Sequence, residues 1–145
     1  MKTYIHYGSD RFAPELFSPP SNRFGFNKPN GGLWASAVDA EYGWKEWSID
    51  NGWCLKSLKK SFTFRLKENA NIIVINTVAD VAQLPLQDDT EGLTVLKPID
   101  FERLVEDGVD AIEVTLTNDS RLYYELYGWD CDCILVLNPD IIEEV

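Results

Sequence analysis

Apolar residues recur along this chain in two rhythms, and the changes of rhythm mark its elements. Thr3-Tyr-Ile-His-Tyr7 reads as a short opening strand. From Pro14 to Asn30 the pattern dissolves into a proline- and phenylalanine-rich stretch without period. That predicts a long irregular loop, and loops of this kind tend to carry function. Gly31-Gly-Leu-Trp-Ala-Ser36 reads as a turn running into a second strand. Between Asp39 and Ile49 the spacing becomes helical: Ala40, Trp44 and Trp47 fall at i, i+4 and i+7 and share one face. Ser36 or Asp39 is placed to cap this helix, and Asn51-Gly52 to stop it.

The second half returns to strands. Ser61-Phe-Thr-Phe-Arg-Leu66 alternates strictly, whereas Asn71-Ile-Ile-Val-Ile-Asn76 is a continuous β-branched run. Such a run predicts a central strand covered on both faces. A short helix is expected near Ala79–Gln83, a loop over Leu84–Lys97, and a helix over Ile99–Glu106 that opens at Asp100 and ends at Gly108. Asp110–Leu116 reads as a strand, Asp119–Gly128 as a short helix or turn, and Cys131–Leu137 as a last strand closed by Asn138-Pro139. Glu143 and Glu144 read as a solvated tail. Strands and helices do not alternate regularly, so the pattern predicts an α+β fold rather than a doubly wound sheet.

Composition narrows the function classes. A chain of 145 residues with 45% apolar residues suits one domain, residues 1–145, with a single core and no linker. A net charge of −11 repels nucleic-acid phosphates, which argues against a nucleic-acid partner and favours a protein partner. Three cysteines, two of them Cys131 and Cys133 with one residue between, and a lone histidine are a poor set for zinc, so no metal is expected. Free thiols and an opening segment without an apolar core suit the cytoplasm. No window approaches the length of a membrane span, so no membrane role is expected.

There is no phosphate-cradling glycine loop and no strand-turn-helix serine motif in the sequence. Three segments remain: Tyr4-Ile-His-Tyr-Gly-Ser9; Gly31-Gly-Leu-Trp-Ala-Ser36 with Ala37-Val-Asp-Ala-Glu-Tyr42; and Gly128-Trp-Asp-Cys-Asp-Cys-Ile-Leu-Val136. Taken in order, they resemble the ADP-ribosyltransferase superfamily, especially its histidine-bearing branch of poly-ADP-ribose polymerases, DNA-modifying toxins and RNA 2′-phosphotransferases. Leu104-Val-Glu-Asp-Gly-Val-Asp-Ala-Ile112 is similar to the run before the final strands of many members. Two departures stand out. Tyr7 separates His6 from Gly8, and the usual catalytic Glu of the last strand is replaced by an aspartate.

The resemblance implies two small, packed, mainly antiparallel sheets with a few flanking helices. It also implies NAD as a substrate, with ADP-ribose transferred to a protein acceptor. His6 would bind the adenosine-side ribose, and the backbone of Tyr7 or Gly8 the carboxamide. Trp34 and Ser36 would shape a second wall, and Tyr42 would stack on nicotinamide. Asp132 would be the catalytic carboxylate, with Asp130 beside it on the same face of one strand. A small acidic transferase of this kind suits a phage or mobile-element effector acting on a host protein.

Two other readings accompany it. The same pocket without the usual Glu suits a catalytically inactive NAD or ADP-ribose-binding module. The charge alone suits an acidic interaction or inhibitor protein. Individual residues also have plainer explanations. Trp44 and Trp47 share a helical face suited to a core, and an acid such as Asp132 inside an apolar run needs a partner or a job. Arg11, Arg23 and Lys28, in or beside the long loop, either meet a pyrophosphate or are ordinary surface.

Overall fold

The computed structural model describes residues 1–23, 26–87 and 98–145. Its strands are β1 (Tyr4–Tyr7), β2 (Leu33–Ala37), β3 (Ser61–Leu66), β4 (Ile72–Ile75), β5 (Ala111–Val114), β6 (Cys133–Val136) and β7 (Ile142–Glu144). They form one seven-stranded sheet in the order β4-β5-β6-β2-β1-β3-β7. Only the β4–β5 pair is parallel; the other strand pairs are antiparallel. The α+β class is as the pattern predicts, but the expected two sheets are joined into one. The join is narrow, because β1 and β2 pair only through Tyr4↔Ala37 and Ile5↔Ser36.

Strand alternation sorts the apolar residues onto two faces. On β6, Cys133 and Leu135 point into one core cluster with Ile112, Val114, Phe101, Leu104, Leu122, Leu126 and Trp129. Ile134 and Val136 point into the other, with Tyr4, Phe62, Phe64, Leu66 and Ala111. All four β6 residues are therefore buried, as an apolar run at the middle of a sheet requires. The strict alternation of β3 puts Phe62, Phe64 and Leu66 inside. Each such side chain contributes about 1.5–3 kcal/mol by leaving water.

Three further expectations need correction. The β-branched run at β4 is an edge strand, not a central one. Ile73 and Ile75 pack on one cluster and Ile72 on the other, while Val74 is exposed. Clusters on both faces account for Ile72, Ile73 and Ile75, and leave Val74 exposed. The acidic tail is also no free tail: β7 pairs with β3 through Phe64↔Glu144, Arg65↔Glu143 and Leu66↔Ile142. The last strand before it starts at Cys133, two residues later than the pattern predicts, because Asp130 takes a left-handed backbone, φ 43°.

Helix α1 spans Trp44–Asn51 and starts late. The Trp44 amide donates to Ser36 Oγ at 3.0 Å, so Ser36 does cap it, across space from β2. Gly43 permits that approach, since a Cβ there would stand 2.9 Å from Ser36 Cβ. Gly52, left-handed at φ 61°, ends the helix. Helix α2, Phe101–Glu106, is capped by Asp100, whose side chain accepts from the Arg103 amide. Helix α3 is the short turn Leu122–Glu125. The expected short helix near Ala79 is a 3-10 segment, Val78–Gln83. Of the expected loop Leu84–Lys97, residues 88–97 lie outside the described residues, as do residues 24–25 of the first loop.

Candidate functional site

The ladder between β1 and β2 opens beyond Ile5↔Ser36, and a site forms in the opening. Antiparallel partners alternate the direction of their main-chain polar groups. The Gly8 amide donates to Lys60 O, so Gly8, His6 and Tyr4 turn their backbone groups towards β3. Ile5 and Tyr7 turn theirs towards β2. Ile5 is paired there, but Tyr7 is past the last pair, so its N–H and C=O face the gap. Trp34 would have been its partner. Instead His6 Nδ1 meets the Trp34 carbonyl oxygen at 2.6 Å.

That contact fixes the histidine tautomer. A carbonyl oxygen only accepts, so Nδ1 carries the proton and Nε2 keeps its lone pair. Nε2 has no hydrogen-bond partner among the described residues. Burial pushes the imidazole below its ordinary pKa, and the hydrogen bond to Trp34 only partly opposes this. His6 is therefore a neutral ring near neutral pH, with an accepting nitrogen to offer.

Above the gap lies a cleft of about 330 Å³. Its walls are chiefly aromatic: Tyr7, Trp34, Trp44 and Trp129, with Ile5 and Ala35 at the base. The Trp34 and Trp129 rings meet edge to face at 4.8 Å. Trp129 is fixed further by its Nε1–H, which donates to Asn27 O at 2.6 Å. Polar groups are few: His6, Ser36, Ser57, Lys28, Asp130 and the thiols of Cys54, Cys131 and Cys133. Planar walls with a few convergent polar groups suit a flat organic ligand.

The residues expected at the site separate into two groups. His6, Tyr7, Trp34, Ser36 and Asp130 line this cleft. Asp132, Tyr42 and Gly8 do not. The Gly8 amide is occupied by Lys60 O at 2.9 Å. The Tyr42 hydroxyl is held by Asp50 at 2.7 Å, and that bond chiefly pushes its pKa up to about 12. The shared face expected for Asp130 and Asp132 fails, because both precede β6 and the left-handed turn at Asp130 re-aims the chain.

Asp132 is instead a knot between elements. It is 6% exposed. Its carboxylate accepts from the Thr117 amide at 3.0 Å and from Thr117 Oγ at 2.9 Å. Its own amide donates to Tyr42 O at 2.9 Å, and its carbonyl accepts from Ser36 Oγ at 2.9 Å. It lines a separate, more polar cleft of about 250 Å³ with Lys2, Asp39, Glu41, Glu113 and Thr117. Ser36 joins the two regions, since its hydroxyl serves both Trp44 and Asp132.

Sequence reasoning gave no role to Trp44 or Trp129 in the pocket, and left Lys28 open between two readings. Trp129 had a visible signal, its place between Gly128 and Asp130; Trp44 had none, because a helical apolar face reads as core. No family model matches the chain, and no curated protein or solved structure does either. Among the described residues, no helix is long and apolar enough to cross a membrane, and no cluster of three or more His, Cys, Asp and Glu is arranged to hold a metal ion.

Proposed function

We propose that the chain binds NAD in the aromatic cleft and transfers ADP-ribose from it to a protein acceptor, as a mono-ADP-ribosyltransferase. The observation that carries this reading is the opened β1–β2 ladder. It leaves the Tyr7 main chain without a strand partner among the described residues, beside a neutral His6. An amide edge of that kind suits the carboxamide of nicotinamide, which has one donor and one acceptor side. His6 Nε2 suits a ribose hydroxyl as donor. Trp34, Trp129 and Tyr7 suit the planar rings.

In the transfer, the bond from ribose C1′ to the nicotinamide nitrogen breaks and its electron pair leaves with nicotinamide. An acceptor nucleophile forms the new bond to C1′ and releases a proton. Positive charge spreads over the sugar between these events, and a preorganised carboxylate lowers its energy. Asp130 takes that role here, since it lines the cleft and Asp132 is consumed by Thr117. The cytoplasmic setting, and an effector acting on a host protein, belong to the same reading.

A second reading rests on the same acid. An aspartate is one methylene shorter than the Glu of the resembled family, and small displacements of a catalytic group are costly. A binding module for NAD or ADP-ribose would need the cleft and not the carboxylate. Incubation with NAD labelled in its adenylate half and a cell lysate separates the two. Labelled protein formed by the wild type and lost in Asp130→Asn supports the transferase. Binding of NAD without labelling supports the module. A thermal-shift titration with no response to NAD or ADP-ribose overturns both.

A further inference from the structure

The cleft contains one feature that neither the histidine nor the carboxylate explains: a lysine held in place with no salt-bridge partner among the described residues. Among the described residues, Lys28 is the one Lys or Arg that lines the cleft. It is half-buried, and its ammonium sits 5.1 Å from the Trp34 ring centroid. It takes no part in the salt bridges among the described residues, which join Lys2–Glu113, Arg11–Glu15, Arg103–Asp107 and Arg121–Asp119. Other described cations, Arg23 and Lys45 among them, also lack a salt bridge; what sets Lys28 apart is its place in the cleft, half-buried against Trp34.

The position of Lys28 is built. Its neighbour Asn27 is tied by three hydrogen bonds. The Asn27 carbonyl accepts from Trp129 Nε1, its side-chain amide donates to Glu125 O, and its Oδ1 accepts from the Ile99 amide. On the other side Pro29 is buried. The lysine stem then crosses Gly128, where an added Cβ would lie 3.6 Å from Lys28 Cδ. Backbone and stem are thus pinned, and the charge is left over an aromatic face at the edge of the cleft. A cation–π contact of this sort stabilises an ammonium less than an anionic partner does.

We infer that Lys28 is an anion subsite of the cleft and takes the diphosphate of the bound ligand; this rests on the NAD reading above. It makes the cleft selective for a dinucleotide, or for ADP-ribose, over phosphate-free nucleosides. Lys28 acts here as a binding residue, separate from the carboxylate that serves the sugar.

The test compares wild type, Lys28→Met and Lys28→Arg. Methionine keeps an apolar stem over Gly128 and Trp34 and removes the charge. Binding of NAD and ADP-ribose is measured by calorimetry, and binding of nicotinamide riboside by NMR titration. Lys28→Met is expected to weaken NAD and ADP-ribose roughly tenfold or more, as the loss of one charge-assisted contact implies. Lys28→Arg retains most of the affinity, and nicotinamide riboside binds wild type and Lys28→Met alike. Added salt weakens NAD binding to wild type more than to Lys28→Met. Equal NAD affinity in wild type and Lys28→Met overturns the subsite and leaves the NAD reading standing. An equal loss for nicotinamide riboside also overturns it, since the lysine would then serve the wall and not the phosphates. Wild type that binds neither NAD nor ADP-ribose overturns the NAD reading, and the subsite with it.

Discussion

Asp130 and Asp132 are two residues apart, carry the same side chain, and live in different physical worlds. Asp132 is buried with each of its main-chain and carboxylate groups engaged by Thr117, Tyr42 or Ser36. Asp130 is half-exposed, left-handed at φ 43°, and lines the aromatic cleft with His6. The contrast teaches that a buried acid in an apolar run is answered first by its hydrogen bonds. Asp132 has the partner that its burial demands. Asp130 has strain and access, the combination that suits a working group.

The largest expected effect lies on the Asp130 side. Asp130→Asn should lower ADP-ribose transfer by about 100-fold or more while leaving the melting temperature nearly unchanged. Assays of labelled acceptor beside thermal melts would check both halves. A variant that melts early with normal specific activity breaks the contrast.

On the Asp132 side the order reverses. Asp132→Ala leaves the Thr117 amide and hydroxyl without their acceptor, and should cost about 2–4 kcal/mol of folding stability. Urea unfolding measures it. NAD affinity of the protein that remains folded should change little. Loss of transfer at full stability would return the catalytic role to Asp132.

Ser36 joins the two regions, and Ser36→Ala should cost about 1–2 kcal/mol. The loss removes the donor to the Asp132 carbonyl and the acceptor for the Trp44 amide together. Hydrogen exchange at the Trp44 amide should speed up in this variant, which a purely local change at Asp132 would not produce.

The smallest effect is a pH dependence at His6. Its folded pKa lies below the unfolded value of 6.5, because burial disfavours the charged ring. The unfolded chain therefore takes up the proton first as pH falls. The stability from His6 is complete above about pH 6.5 and declines as pH drops from there through the folded pKa. The slope cannot exceed about 1.4 kcal/mol per pH unit for one group. Urea midpoints across that window should show it in wild type and show less of it in His6→Gln. If the slope is unchanged in His6→Gln, the neutral, Trp34-bonded ring is wrong.

Much of the fold was legible from pattern alone. The strict alternation of β3 and the Asp100 cap of α2 depend on neighbours close in sequence, and both formed as read. The misread elements depend on distant ones. The β4 run marks covering on two faces, which an edge strand also has when clusters flank it. The β7 glutamates are exposed, as their charge implies, but their strand pairing was hidden because the partner, β3, lies far back in the chain. In the cleft, His6 and Trp34 were legible as a pair of short motifs, whereas their hydrogen bond was not. Tyr42 was drawn to the site by its place beside the second motif, but its hydroxyl belongs to Asp50.

By itself, the sequence determined what is set over short distances: the periods of the strands, the caps, the glycine stops, the acidic surface and the supply of aromatic rings. Only the tertiary structure decided which groups have unused capacity. The Tyr7 main chain has no partner among the described residues because β1 and β2 part after Ile5, His6 is neutral because burial disfavours its charged form while Trp34 fixes which nitrogen keeps the proton, and Asp130 lines the cleft from a left-handed backbone. The physical reason is the same in each case. A polar group is available for chemistry only when no neighbour has already satisfied it, and those neighbours are chosen by folding.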